Sequence, residues 1–252
     1  MRILIPILLL GCNDGGASDG RKDKAETAEN PLGEIPTDAG TLVLTPWNHA
    51  SFGLAGGGVS VAVDPLKSVV PASDKGSADL VLVTDVHGDH LDVDGIEKVL
   101  GPQGTVVAPA AVADKLPEGM NVVVLANGDS VTIGAVGVEA VAMYNLVRGG
   151  EEGTVYHDKG RGNGYILTID GARIYISGDT ECTEEMKALQ DIDAAMVCMN
   201  LPFTMPPDEA ATCVNAFQPT VVLPYHFKGQ DPEAFQALVT DSEVRILPWY
   251  GE

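Results

Sequence analysis

Basic residues are scarce: 15 Lys and Arg stand against 36 Asp and Glu in 252 residues, for a formal net charge of −21. A surface this acidic repels phosphate backbones, and no basic run interrupts it in the folded part, which argues against nucleic-acid binding except through a local basic patch or a metal. Long apolar runs are missing as well. The N-terminal stretch from Ile3 to Leu10 is too short to span a bilayer. Cysteine is limited to four residues. Behind Cys12, the remaining Cys182, Cys198 and Cys213 are odd in number and irregularly spaced, so they imply no disulfide framework, although two could pair in an oxidising compartment. With 45% hydrophobic residues the chain can bury one sizeable core.

Histidine is also rare, five in all, and two of the five fall in Asp85-Val86-His87-Gly88-Asp89-His90. The preceding Ala78 to Thr84 is short, β-branched and apolar, the pattern of a buried strand, so these six residues occupy a loop at a strand's carboxyl end. Two imidazoles and two carboxylates on one tight turn can aim at a common point, which suits zinc or another first-row divalent metal.

The N-terminus has one positive residue, a short apolar core and a small residue before Cys12, the order of a secretory signal. Leu9-Leu10-Gly11-Cys12 resembles a bacterial lipobox, with Cys12 as the lipidated residue. Residues 13–38 are polar and Gly-rich and predict a flexible linker. These readings divide the chain into a signal over 1–12, a tether over 13–38 and a folded domain over 39–252, held at the periplasmic side of a cell envelope by its lipid.

Within the domain, Thr41–Leu44, Ser51–Ala55 and Val59–Val63 predict an antiparallel meander, with Pro46 to His49 as a separator. Asp92–Leu100 has helical spacing with Asp92 as N-cap. Further strands are expected at 105–108, 121–125, 130–133, 136–142, 165–170, 172–177, 193–199 and 220–226, with helices at 109–116, 184–189 and 207–217. Cys198 reads as a buried strand residue. Strands alternating with short helices mean an α/β architecture with mixed sheets. Residues 144–163 are irregular and Gly-rich, the composition of a functional loop.

Asp85 to His90 resembles the T-H-x-H-x-D-H signature of the metallo-β-lactamase fold superfamily, and in particular its lactonase-like and phospholipase-D-like metal-dependent hydrolases. Asp85 stands where that pattern has its first His. The resemblance runs from about Thr41 to the C-terminus and includes Gly178-Asp179-Thr180 and the strand ending in His226. It implies a four-layer αββα sandwich and two divalent ions, zinc first, with manganese or iron as alternatives. One ion would take Asp85, His87 and His157, the other Asp89, His90 and His226, with Asp179 and a hydroxide between them. The implied activity is hydrolysis of an ester, lactone or phosphodiester, with Asp89 and Asp179 as catalytic groups. The alternative is a metal-binding or scaffolding module with reduced catalysis, motivated by the missing first His.

His49 and Asp64 match positions supporting the metal site in the superfamily. Arg148, Lys159, Arg161 and Lys228 surround the ligand segments in sequence and suggest a small anionic substrate. Asn145, Asn163 and Asn200 are candidate amide donors to a substrate oxyanion. A carboxylate at position 85 adds a negative charge and a harder donor, and so predicts a first site less suited to zinc.

Overall fold

The computed structural model describes residues 32–251; Cys12, the signal segment and most of the predicted tether lie outside them. Two seven-stranded mixed sheets are built in strict chain order, β1 to β7 in the first and β8 to β14 in the second. In the first, β1 (Glu34–Thr37), β2 (Gly40–Asn48), β3 (Ser51–Gly56) and β4 (Val59–Val63) form an antiparallel meander. β5 (Ala78–Leu82), β6 (Leu100–Ala108) and β7 (Val122–Val124) then extend it in parallel. The second sheet repeats this plan. β8 (Ser130–Ile133), β9 (Val136–Met143), β10 (Gly162–Ile169) and β11 (Ala172–Ile176) are antiparallel, while β12 (Ala194–Cys198), β13 (Val221–Tyr225) and β14 (Glu243–Val244) continue in parallel.

Strand alternation sets the layers. Along β5, Leu80 and Leu82 face the inter-sheet core with Ile166, Ile174 and Met196, whereas Val81 packs outward with Ile96 and Val99 of α1 (Val93–Val99). The first sheet's outer face is covered by α1 and by α2 (Ala110–Ala113) through Val112. On the second sheet's side, α3 (Glu184–Lys187), α4 (Pro207–Phe217) and α5 (Pro232–Gln236) bury Met186, Val214, Phe217 and Phe235. The result is an αββα sandwich. Phe52 packs edge-on against Tyr225 and Trp249, which are tilted against each other, near the end of β13 that leads to His226.

Several boundaries differ from the sequence reading. The domain includes residues 34–37 of the predicted linker, because β1 pairs Glu34–Thr37 with Val43–Gly40 and buries Ile35. Pro46 to Asn48 belong to β2, with a bulge there in place of a separator. Asp92 holds the N-cap position of α1 without capping it, since its carboxylate accepts from the Lys67 N–H at 2.7 Å. Cys182 and Cys213 are joined in a disulfide with Cα atoms 5.5 Å apart, tying the segment after Asp179 to α4. Cys198 is free and buried in β12.

Candidate metal centre

The loop after β5 folds at His87, whose carbonyl accepts from the N–H groups of His90 and Leu91 at 3.0 and 2.8 Å. This turn brings residues close in sequence to one point with residues distant in sequence. Asp85, His87 and His157 offer donor atoms within 4.8 Å of one another, and so do His90, Asp179 and His226. Asp179 lies between the two sets. Its Oδ2 is 3.2 Å from His157 Nε2 and 3.4 Å from His90 Nε2, and its Oδ1 is 3.6 Å from His226 Nε2. Asp89 stands on the open side, 3.3 Å from His226 Nε2 and 3.5 Å from His49 Nε2.

Gly178 delivers Asp179 after β11. It has φ of +60°, a Cβ there would meet the Met143 sulfur, and its N–H donates to Tyr225 Oη at 3.0 Å. His226 follows β13 in a left-handed conformation, stacked on His49 with ring centres 3.8 Å apart.

Buried polar atoms normally find partners. Among the described residues, His90 Nε2, both ring nitrogens of His226 and Asp179 Oδ1 are buried with no hydrogen-bond partner. Inward-facing lone pairs on imidazoles and a carboxylate fit divalent cations, which use such donors in this number.

The profile of the β-lactamase superfamily domain matches residues 44–226. The chain belongs to this family. A UPF0173 metal-dependent hydrolase of Thermococcus kodakarensis is 34% identical over 215 residues, 79% of this chain and 93% of the relative. Its counterpart in Thermococcus onnurineus is 32% identical with the same coverage. A structure from Parabacteroides distasonis, assigned as a metal-dependent hydrolase, aligns with TM-score 0.77 and 37% identity over 84% of this chain and 96% of its own. The protein is accordingly a metal-dependent hydrolase of the metallo-β-lactamase superfamily.

The groups behind the hydrolase's candidate ligands fix how the rings face. His90 Nδ1 lies 2.8 Å from Asp64 Oδ2, and Asp64 also accepts from the Thr84 N–H at 2.8 Å and hydroxyl at 2.6 Å. With Nδ1–H committed to Asp64, Nε2 presents a lone pair inward. Asn145 does the same for His157: its Oδ1 accepts from His157 N at 2.9 Å and Nδ1 at 2.6 Å. His49 Nδ1 lies 3.0 Å from Tyr250 Oη, which orients the other ring nitrogen toward Asp89.

Other candidates have different roles from those their residue types suggested. Asn145 is no oxyanion donor, because its amide N–H groups go to Glu181 Oε1 at 3.0 Å and the Phe203 carbonyl at 2.8 Å. Asn163 spans the sheets instead, donating to the Leu125 carbonyl at 2.8 Å and accepting from Asn127 at 2.7 Å. Asn200 shapes a turn through its backbone, its carbonyl receiving the N–H groups of Phe203 and Thr204.

The cations are matched to carboxylates. Arg148 pairs with Glu209 at 2.7 Å and Glu181 at 3.3 Å, Lys159 pairs with Glu185, and Arg161 makes a two-point fork with Asp85. Lys228 is exposed, two residues past His226. The added charge expected at Asp85 is therefore balanced locally, a contact no spacing rule could reveal.

A cleft of about 320 Å³ opens over the centre, lined by His87, Asp89, Tyr156, His157, Asp179 and Phe203. Tyr156 and Phe203 meet edge-to-face at 5.1 Å. Neither was legible as a site residue, nor was Glu181, which is buried and receives the N–H groups of Arg148 and Val147 at 2.7 and 3.3 Å. A buried Glu two residues past a ligand was the available signal for the last.

Without metal the cluster neutralises itself. Burial opposes charge on His90, but Asp179 and Asp64 outweigh it and hold its pKa well above 6.5. Burial also opposes charge on Asp179, where His226 and His90 prevail and carry it well below 3.8. At Asp89 the neighbouring imidazoles of His226 and His49 overcome burial in the same direction. The stabilisation from His90 is complete below its unfolded value near 6.5 and is lost as pH rises through its folded value. That from the aspartates is present above 3.8 and is lost as pH falls through their folded values. Chelator-treated protein should therefore melt at lower temperature at about pH 9 than at about pH 6, with metal-loaded protein much flatter across that interval. Parallel melts check this, and identical profiles for the two forms would contradict it.

Proposed function

We propose that the enzyme hydrolyses an uncharged carboxylic ester or lactone bearing an apolar acyl or aryl group. The observation that carries this is the cleft's composition: Tyr156 and Phe203 wall it, while Arg148, Lys159 and Arg161 are already paired with carboxylates. A phosphodiester or carboxylate would find little unmatched positive charge among these side chains. Leu146, Val147, Leu201 and Phe203 add exposed apolar surface on two segments joined by the Asn145–Phe203 hydrogen bond.

Divalent ions at this centre, zinc first and manganese or iron as alternatives, would lower the pKa of a water and polarise a carbonyl. Asp85, His87 and His157 would hold one, His90, His226 and Asp89 the other, with Asp179 shared. Asp89, half-exposed at the cleft and held by His49 and His226, is placed to orient the attacking water and accept its proton at Oδ2. Tyr156 and Phe203 exclude solvent beside the scissile bond and seat the apolar group.

The test is a rate comparison across aryl esters of increasing acyl length, lactones and an aryl phosphodiester. Esters or lactones should be preferred, and Phe203→Ser should raise KM for the longest ester about 10-fold, equivalent to about 1.4 kcal/mol of lost apolar contact. A faster phosphodiester reaction would overturn the assignment.

We also infer a lipid-anchored location on the periplasmic side of a bacterial envelope, from the lipobox-like Leu9-Leu10-Gly11-Cys12. The Cys182–Cys213 disulfide supports it, since disulfides persist in oxidising compartments. Cells fed a labelled fatty acid should label the wild type and leave Cys12→Ser unlabelled; equal labelling would remove Cys12 as the anchor.

A further inference from the structure

Asp85 is fully buried, and both of its carboxylate oxygens face Arg161: Nε to Oδ1 at 3.1 Å and Nη2 to Oδ2 at 2.8 Å. The same Oδ2 lies 3.0 Å from His87 Nδ1 and 3.9 Å from His157 Nε2, so it stands at once in the guanidinium fork and in the first ligand set. The local backbone holds this arrangement. Asn163 N–H donates to the Thr84 carbonyl at 2.9 Å, joining the start of β10 to the residue before Asp85. Between them, Gly162 leaves no room for a side chain, because a Cβ would press on the Thr84 carbonyl, Asp85 Oδ1 and Met143.

A buried carboxylate without a counter-charge is costly, and a fork-shaped Arg is the partner that satisfies both oxygens while leaving a lone pair on one of them. The pair is net-neutral, as an imidazole is.

We propose that Arg161 and Asp85 act as one unit replacing the first imidazole, with Arg161 the positioning residue that sets the charge, and so the metal preference, of the first site. This rests on the metal-centre reading above. Asp85 supplies an oxygen donor, and Arg161 cancels the charge that would otherwise draw harder ions there.

The measurements are metal equivalents per chain and chelator-competition affinities for zinc and manganese, on wild type, Asp85→His, Arg161→Met and the double variant. Asp85→His alone leaves the guanidinium unpaired beside a cation, and should lose the first-site ion or weaken it about 100-fold. Arg161→Met should shift preference toward manganese. The double variant, an all-imidazole site with no stray cation, should regain two equivalents and bind zinc at least as tightly as wild type. Melting curves for each variant, with Arg161→Lys keeping the charge and losing the fork, separate loss of folding from loss of metal. Arg161→Lys should keep the wild-type zinc-over-manganese preference.

If Asp85→His keeps both ions at wild-type affinity, or Arg161→Met leaves selectivity unchanged in a folded protein, the unit does not exist. If wild type itself takes up no metal, the metal-centre reading fails first and this inference with it.

Discussion

Asp179→Asn should abolish the metal centre and lower kcat by about 10³-fold or more, the loss of several kcal/mol of electrophilic stabilisation. The reason is its place: one carboxylate lies within 3.2 to 3.6 Å of His157, His90 and His226, in reach of both candidate ligand sets. Each other ligand belongs mainly to one set, so no other single change should remove as much. Asn is nearly isosteric and the backbone around Gly178 is unaltered, so the variant should fold. In the metal-free state it should show a weaker dependence of melting temperature on pH, because His90 loses its strongest favourable charge. Metal analysis and ester hydrolysis on the same preparation decide the matter. A variant retaining two equivalents and wild-type turnover would show that Asp179 is not shared.

For stability the largest expected effect is at Asp64. It is completely buried and receives three donors: the Thr84 N–H, the Thr84 hydroxyl and His90 Nδ1–H. Asp64→Ala strands all three and removes the counter-charge to His90, a change of about 3–5 kcal/mol for a buried pair broken from one side. It also places Ala at φ of +44°, where Asp and Asn are better tolerated. Metal affinity at His90 should fall about 10- to 100-fold, because Nδ1 then keeps only the Thr84 hydroxyl, 3.0 Å away, which can donate or accept and so no longer fixes which ring nitrogen carries the proton. Asp64→Asn keeps the shape and the backbone preference and should lose less of both. Denaturant melts and metal titrations on the two variants give the comparison, and an Ala variant as stable as wild type would deny Asp64 this role.

The two predictions concern residues that were very unequally visible in the sequence. The loop from Asp85 to His90 announced itself by local density, four potential ligands in six positions after an apolar strand. Strands such as β4 and β8 and the helix α4 coincided with their predicted spans because alternation, turn residues and an N1 Pro are local signals. β1 escaped because its four residues sit in polar sequence, and only pairing with β2 makes Ile35 a core residue. β14 and α5 are short, and the disulfide joins cysteines 31 positions apart. Only α5 has a local signature, Asp231 as N-cap before Pro232.

What the sequence by itself determined was the donor chemistry and its order along the chain: which residues can ligate a divalent cation, which strands deliver them, and that acidic composition disfavours nucleic acid. Residue type and period-two alternation are properties of neighbours, so they can be read from neighbours. Tertiary structure alone decided which charges are free. Arg148, Lys159 and Arg161 looked like a cationic welcome for an anion, and each instead faces a carboxylate, from 26 to 76 positions away in the case of Lys159 and Arg161. Asn145 looked like a substrate donor and became the support of His157. Electrostatic partnership depends on distances across the fold, where a few ångströms separate a neutralised pair from an available charge. Two sheets closing face to face set those distances.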